Sequence, residues 1–212
     1  MEILVAGGHG QIALRLLRQA AERGHRARGL IRNPDHAADL EAVGAQAVLC
    51  DLERDDPRPH LGGAEAIVFA AGAGPGSGPE RKRTVDLGAA VKLIDAAAEL
   101  GVTRFVIVSS MGYDDLEHAD PAMRPYFEAK RDADAALRAS GLDWTIVKPG
   151  RLTNEPGTGR IDAARKLGRS GEIPRDDVAL TLLECLQAPN TIRKEFEELT
   201  GATPVAEALG AL

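Results

Sequence analysis

The chain has 212 residues, of which 44% are hydrophobic and 27% charged, which is ordinary for a folded globular protein. With 26 Lys and Arg against 32 Asp and Glu, the net charge is −6, which argues against a general nucleic-acid or anionic-membrane surface. Aromatic residues make up only 3%, too few for a base-stacking platform, and no apolar run approaches the roughly 20 residues of a membrane span.

Short apolar strands alternate with amphipathic helices from the N-terminus to about residue 150. Strands are predicted at residues 2–6, 26–31, 47–50, 66–70, 104–109 and 144–147. Helices are predicted at residues 12–23, 36–43, 80–100 and 121–140. This alternation indicates βαβ units, so the predicted fold is α/β, with a Rossmann-type doubly wound parallel sheet.

Residues 151–212 are less regular. A strand is predicted at 160–164, a helix at 174–186, a strand at 195–200 and a terminal helix from Pro204. This stretch is too short for an independent domain. We therefore expect a single domain over residues 1–212, in which residues 151–212 partly form a small lobe on the substrate side.

Two features bear on the compartment. The N-terminus opens directly into a strand pattern with no basic region before it, so no signal peptide is expected. Cys50 and Cys185 are far apart and form no C-x-x-C pair, which is typical of buried thiols in a reducing cytosol. The sequence thus predicts a cytoplasmic protein with no membrane partner.

A glycine-rich turn joins the first strand to the first helix. Gly7, Gly10 and Ala13 fit G-x-x-G-x-x-A, between a strand and a helix as a dinucleotide-binding turn requires. The glycines permit a tight turn and close approach of a pyrophosphate to the free N–H groups of the helix. A glycine-rich turn without a ligand is the alternative. The candidate phosphate contacts are Gly7, His9, Gly10, Gln11 and Ile12.

The residue at the end of the second strand selects the dinucleotide. An acid there binds the ribose 2′-hydroxyl of NAD, but this chain has Arg32, whose guanidinium suits a 2′-phosphate. His9 could add a donor to the same phosphate. We therefore predict that NADP(H) is preferred over NAD(H). A solvated turn arginine and a loop histidine without a partner remain the alternatives.

The ends of the third and fourth strands extend the predicted cofactor crevice. Asp51 could accept the adenine amino group while Leu52 covers the ring, although Asp51 could equally be a plain turn former. The small residues Ala70, Ala71 and Gly72 would let a ring or ribose lie against the backbone. The expected substrate pocket comprises residues 72–79, 112–126 and 151–159.

A Y-x-x-x-K pair lies in the predicted helix 121–140. Tyr126 and Lys130 are four residues apart, so they share one helix face, and the ammonium favours the phenolate form needed for acid–base chemistry. Ser110, just beyond the fifth strand, could hold a substrate carbonyl. A chance pairing of the two residue types is the alternative.

With these motifs in view, the chain resembles the short-chain dehydrogenase/reductase superfamily. It is most similar to atypical single-domain members, the NmrA-like and biliverdin-reductase-B-like proteins, often labelled the NAD-dependent epimerase/dehydratase family. The matching segments also include Val108-Ser109-Ser110 and the run from Thr145 to Gly150. The resemblance extends from Ile3 to about Leu199 and identifies no substrate.

The resemblance implies roles for several residues. Lys130 would also bind the nicotinamide ribose, and Pro149 and Gly150 would contact the nicotinamide end. Asp86 occupies the place of an asparagine that usually completes a catalytic tetrad, which puts the standard proton relay in doubt. Asp86 could instead be a structural partner of a backbone amide or of Lys130.

Two functions follow as expectations. The first is an NADP(H)-dependent oxidoreductase that transfers hydride to or from a small carbonyl, quinone or similar compound, acting as a monomer or small homo-oligomer. The second is a non-catalytic NADP(H) sensor of the NmrA-like type. No H-E-x-x-H or paired histidine spacing supports a metal site, and about 60 residues after the sixth strand leave little room for a sugar-nucleotide lobe.

Overall fold

The computed structural model describes residues 1–74, 76–117 and 119–212. Pro75 and His118, in two of the expected pocket segments, lie outside the described residues. The strands are β1 Glu2–Ala6, β2 Arg26–Ile31, β3 Gln46–Leu49, β4 Ala66–Phe69, β5 Arg104–Val108, β6 Asp143–Pro149, β7 Arg151–Thr153, β8 Arg160–Ala164, β9 Glu172–Pro174, β10 Lys194–Thr200 and β11 Thr203–Pro204. The helices are α1 Gln11–Glu22, α2 Ala37–Ala42, α3 Pro79–Arg81, α4 Ala90–Leu100, α5 Arg124–Ala139, α6 Arg175–Gln187 and α7 Val205–Gly210, and a π-helical segment, Lys82–Ala89, joins α3 to α4.

The main sheet confirms the predicted α/β fold. Within the described residues it has nine strands in the order β11-β8-β10-β6-β5-β4-β1-β2-β3. Strands β1 to β6 pair in parallel throughout, with right-handed βαβ connections expected between them. Strand order reverses beside β1, and that is where open α/β sheets place a ligand.

Helices cover both faces of the sheet, and this explains the continuous apolar strands. In β5, Val106 faces the layer of α1 and α6, while Phe105 and Ile107 face the layer of α4 and α5. All five residues of β5 are buried. After Arg104 at its start, the strand is apolar at four consecutive positions, not at alternate ones, because it is buried on both faces.

The last sixty residues largely extend this sheet. β10 pairs in parallel with β6, and β8 and β11 follow in antiparallel pairing. In the part of the chain that the structure describes, only β7 and β9 form a separate two-stranded sheet. The single domain with a substrate-side lobe stays a prediction, and the structure adds that most of this stretch contributes to the common core.

Several predicted boundaries were inaccurate. β6 runs on through Pro149, α5 begins at Arg124 and not at 121, and the helix predicted at 80–100 contains the π-helical segment. Pro149 is tolerated because it ends its strand.

Both cysteines are buried and unpaired, as predicted. Among the described residues, no helix is long and apolar enough to cross a membrane.

Candidate cofactor and catalytic site

The candidate site lies along the edge where β1, β2, β4, β5 and β6 end. Parallel pairing brings the last residues of these strands level, with Ala6 beside Leu30 and Phe69, and Val108 beside Val147. The loops that follow them therefore meet at one crevice. Most residues predicted for the site lie in these loops; Asp51 and Leu52 follow β3, Asp86 lies in the π-helical segment, and Tyr126 and Lys130 lie in α5.

Gly7 begins the turn after β1 and could not be replaced without movement. Its φ is +76°, a left-handed conformation that side chains disfavour. A Cβ at this position would lie 2.6 Å from the Cα of Ala71 in the loop after β4. The glycine therefore lets two loops of the crevice touch backbone to backbone.

The start of α1 presents open backbone donors. Gly10 is the N-cap and carries no side-chain cap, and its own N–H donates to the Gly7 carbonyl at 2.8 Å. The Gln11 and Ile12 N–H groups at the positive end of the helix dipole thus face the crevice without a capping side chain. Together with the close approach permitted at Gly7, this geometry fits a dinucleotide pyrophosphate.

Arg32 lies at the predicted end of β2 but already has a partner. Its Nη1 is 3.5 Å from a carboxylate oxygen of Glu53, and its side chain is 56% exposed. Glu53 also accepts hydrogen bonds from Arg81 and Thr84. The Thr84 hydrogen bond and the two arginines lower the pKa of Glu53, so it is a carboxylate at neutral pH. Sequence reasoning missed Glu53.

His9 is also engaged. Its Nε2 lies 2.7 Å from Asp39 Oδ2, and its ring stacks on that of His36 at 3.6 Å. The position in the glycine turn agrees with a role beside a 2′-phosphate, but neither His9 nor Arg32 is free of a carboxylate neighbour. Their cofactor roles stay predictions.

Asp51 and Leu52 take a more structural arrangement than the predicted adenine contact. Asp51 Oδ1 accepts the Glu53 N–H at 3.1 Å, which is the turn-forming alternative. Leu52 is 8% exposed and packs in the core layer of α4. The adenine role of these residues stays a prediction.

Small residues line the centre of the crevice as expected. Ala70 and Ala71 are half-buried, and Gly72 is exposed with Asp86 beside it, where a Cβ would meet Asp86 Oδ1 at 3.2 Å. Across the crevice, Pro149 accepts a hydrogen bond from Met111, and Gly150 donates to Glu198. The backbone is thus closely packed at the places assigned to the nicotinamide end.

Lys130 is a buried cation held by two partners. Only 4% of it is exposed, its Nζ donates to the Val108 carbonyl at 2.9 Å, and it lies 3.5 Å from Asp86 Oδ1. The second oxygen of Asp86 accepts the Ala73 N–H at 3.1 Å. Asp86 therefore contacts both a backbone amide and Lys130, the two structural partners that the sequence raised.

Tyr126 lies between two lysines. Its ring centroid is 5.8 Å from Lys130 Nζ and 5.3 Å from Lys82 Nζ, and Lys82 is anchored on the Gly74 carbonyl. Tyr126 is half-buried, so part of its side chain is accessible to solvent. Lys82, which comes from the π-helical segment, was not among the predicted residues.

Ser110 follows β5 at the same edge. It is half-buried, and its hydroxyl donates to the Met111 carbonyl at 2.9 Å. Its neighbour Ser109 is buried, and its hydroxyl donates to Asp134 at 2.5 Å. The two adjacent serines therefore point to different environments, and only Ser110 is open toward the crevice.

The other tyrosine, Tyr113, is unsuited to proton transfer. It is 7% exposed and donates to Asp134 Oδ2 at 2.8 Å, and burial together with the Asp134 charge raises its pKa far above the usual range. Asp134 follows Lys130 by one helical turn. That spacing is the only signal in the sequence that could have found Asp134.

No group of three or more His, Cys, Asp or Glu in the described part of the chain could hold a metal ion. The groups that the described residues bring to the crevice include a phenol, an ammonium group, hydroxyls and backbone amides. This set can bind a dinucleotide and move a proton.

Known proteins resemble the whole chain. The uncharacterized sugar epimerase YhfK of Bacillus subtilis is 42% identical over 100% of both chains. A structure from Bacillus halodurans, provisionally assigned as an NAD-dependent epimerase/dehydratase, is 38% identical, covers 100% of both chains and has a TM-score of 0.96. The oxidoreductase YlbE from Lactococcus lactis is 30% identical, with 100% of this chain and 96% of that one covered and a TM-score of 0.86.

A family model described as NAD(P)H-binding matches residues 7–189, from the first glycine of the turn to the end of α6. The matched range contains the glycine turn, Lys130 and the end of β6. The fold is that of NAD(P)-binding oxidoreductases, as the resemblance to atypical short-chain dehydrogenases/reductases predicted. The chain belongs to the NAD(P)H-binding family of Rossmann proteins.

Proposed function

We propose that the protein is an NADP(H)-dependent oxidoreductase that reduces or oxidises a small carbonyl, quinone or similar compound. One observation carries the proposal: Lys130 and Tyr126 lie together on α5, with the Lys130 ammonium 5.8 Å from the centroid of the Tyr126 ring.

The groups at the crevice then have the following roles. The bound nicotinamide supplies or accepts hydride. Ser110 orients the substrate oxygen, and Tyr126 transfers a proton to or from that oxygen. Lys130 holds a ribose hydroxyl and, with Lys82, places an ammonium group near the phenol ring. The open amides of Gln11 and Ile12 bind the pyrophosphate.

The preference for NADP(H) rests on Arg32. No acid occupies the end of β2, and the guanidinium is 56% exposed, which leaves it accessible to a ligand. The ion pair between Arg32 and the Glu53 carboxylate, at 3.5 Å, is partly open to solvent and of small energy, so a doubly charged 2′-phosphate can displace Glu53.

A small substrate suits the C-terminal part of the chain. Although one relative is named a sugar epimerase, most of residues 151–212 are used in β8, β10, β11, α6 and α7. What remains over the crevice is the β7–β9 pair and short loops. This arrangement favours a compact carbonyl compound over a nucleotide sugar.

The first experiment is a titration of the protein with NADPH and NADH, by fluorescence or calorimetry, repeated on Arg32→Ala. We expect micromolar NADPH binding that weakens at least about tenfold in the variant, equal to about 1.4 kcal/mol for a charge-assisted contact. NADH binding should change little. Equal affinity for both nucleotides would overturn the preference, and no binding of either would remove the proposal.

A non-catalytic NADP(H) sensor is the second candidate, and Asp86 favours it. The carboxylate 3.5 Å from Lys130 neutralises the charge that would otherwise support proton transfer. NADPH oxidation with a panel of carbonyls and quinones separates the candidates, with Tyr126→Phe as the control. Turnover that is lost in Tyr126→Phe supports the enzyme, whereas binding without turnover supports the sensor.

A further inference from the structure

The turn that carries Ser110 is attached to α5 at both of its ends. Ser109 precedes Ser110 and donates its hydroxyl to Asp134 Oδ2 at 2.5 Å. Tyr113 follows three residues later and donates its hydroxyl to the same oxygen at 2.8 Å. A single carboxylate oxygen on α5 therefore receives hydrogen bonds from both sides of Ser110.

The same helix carries the other two candidate catalytic groups. Tyr126, Lys130 and Asp134 follow one another at intervals of four, so they lie along one face of α5. Lys130 also binds the end of β5 through the Val108 carbonyl. The positions of Ser110 and the Tyr126 phenol relative to each other are therefore set by contacts with the same helix, α5.

Further contacts restrict the turn. Gly112 has φ of +101°, and a Cβ there would lie 3.2 Å from the Phe127 ring, next to Tyr126. The Tyr113 ring lies 4.5 Å below the Lys148 ammonium, which is paired with Glu195 at 3.1 Å. The segment has little freedom to tilt, and its two hydroxyl anchors are buried.

We propose that Asp134 is a positioning residue that fixes Ser110 relative to Tyr126 and Lys130 through Ser109 and Tyr113. The inference rests on the proposed oxidoreductase function, because it concerns the geometry of that reaction. Asp134 does not touch the crevice: it is fully buried, and within the described residues its Oδ1 has no hydrogen-bond partner. Asp134 acts on the position of Ser110 through the hydroxyls of Ser109 and Tyr113.

The mildest test removes one hydroxyl. Tyr113→Phe keeps the ring and its packing, and Ser109→Ala removes the other donor. Each should lower kcat about tenfold, because small displacements of a reacting group are costly. The NADPH dissociation constant should stay within about twofold, since neither residue faces the predicted phosphate contacts. Asp132→Asn, on the exposed face of α5, is the matched control and should leave kcat unchanged.

Hydrogen exchange provides a readout that needs no turnover. In Tyr113→Phe, amide exchange over residues 109–113 should quicken, while exchange in β4 and α4 stays as in the wild type. A double-mutant cycle adds Asp134→Ala: once the acceptor is gone, removing the Tyr113 hydroxyl should have little further effect on kcat or exchange.

Two results would overturn the inference. One is unchanged kcat and unchanged exchange at 109–113 in Tyr113→Phe and Ser109→Ala. The other is a loss of kcat matched by an equal loss of NADPH binding and thermal stability, which marks a general packing defect. A wild-type protein that binds NADPH without turnover counts against the proposed function alone, and exchange at 109–113 then decides whether the Asp134 attachment exists.

Discussion

The two halves of the crevice handle charge differently. On the side of β2, each ion pair has one exposed member: exposed Arg32 pairs with half-buried Glu53, and half-buried His9 pairs with exposed Asp39. On the side of β5, Lys130 and Asp86 are only 4% and 1% exposed. Exposed pairs are worth little and a ligand can displace them, whereas a buried pair is fixed before any ligand arrives.

Under the proposed oxidoreductase function, this difference would divide the work between the two halves. The exposed half can exchange a carboxylate partner for the phosphate of a cofactor at small energetic cost. The buried half holds Lys130 in one place, where its orientation does not depend on the ligand. Preorganised charge is what a proton-transfer site requires.

The largest effect is expected from breaking the buried pair. Lys130→Met leaves the Asp86 carboxylate without its cation, and removing one partner of a buried pair costs about 3–5 kcal/mol of the free energy of unfolding. Urea denaturation measures this loss. Arg131→Met, which breaks an exposed pair with Asp132, is the control and should cost less than about 1 kcal/mol. Equal losses in the two variants would remove the contrast between the halves.

The glycine turn after β1 lies between the two halves of the crevice. Gly7→Ala tests how closely this turn packs against the loop after β4. A left-handed alanine and contact with Ala71 at 2.6 Å should together cost about 2–4 kcal/mol and abolish NADPH binding. Gly24→Ala is a matched control, because Gly24 has φ of +75° with no atom within 4 Å of its Cβ position. It should cost only about 1 kcal/mol, by strain alone, and should leave binding intact. Similar unfolding midpoints would show that the loops are not in contact.

A second buried acid should make the stability of the protein depend on pH. Glu198, next to Pro149 in the sheet, is fully buried, and burial, with the Asp177 charge adding to it, raises its pKa to about 8. The native state thus holds a proton that the unfolded chain releases above about pH 4.5. Stability should therefore fall as pH rises from 5 to 9, by linkage.

In Glu198→Gln this fall should be smaller by about 1–3 kcal/mol, because an amide does not ionise. The wild-type protein alone then has the cost of a buried carboxylate without a partner at high pH. Urea unfolding at several pH values measures the difference, and other titrating groups cancel because both proteins contain them. Parallel pH profiles for the two proteins would show that Glu198 is ionised in the native state.

The smallest effect is expected in the exposed half. Glu53→Gln removes the carboxylate beside Arg32, so NADPH should bind a few-fold more tightly and NADH should be unaffected. Stability should change by less than about 0.5 kcal/mol. Glu99→Gln, an exposed acid paired with Arg58 at the end of α4, is the control and should leave both affinities unchanged. Weaker NADPH binding in Glu53→Gln would mean that Glu53 holds Arg32 in its binding position.

Local patterns were enough to predict the fold. Continuous apolar runs such as β5 and glycines such as Gly24, Gly101 and Gly141 mark where strands and helices end. The predicted strand at 160–164 matches β8, but its antiparallel place outside β10 could not be read from the sequence. Pairing between distant segments depends on the packing of the whole sheet.

Spacing along one helix likewise predicted that Tyr126 and Lys130 lie close together, because residues four apart share one helix face. The partners of these residues were harder to predict. Glu53, Lys82 and Tyr113 lie in turns or irregular segments, where no periodicity links them to Arg32, Tyr126 or Asp134. Only the interval from Lys130 to Asp134 carried a usable signal.

The position of β10 has a consequence for the order of folding. β8 precedes β10 in the chain but lies outside it, so β8 reaches the sheet only through β10. A chain that has emerged only as far as α6 would leave β6 as an open edge and β8 without its partner, a state prone to strand pairing with other chains. Completion of the sheet therefore waits for residues 194–200, and this long-range step should limit the folding rate.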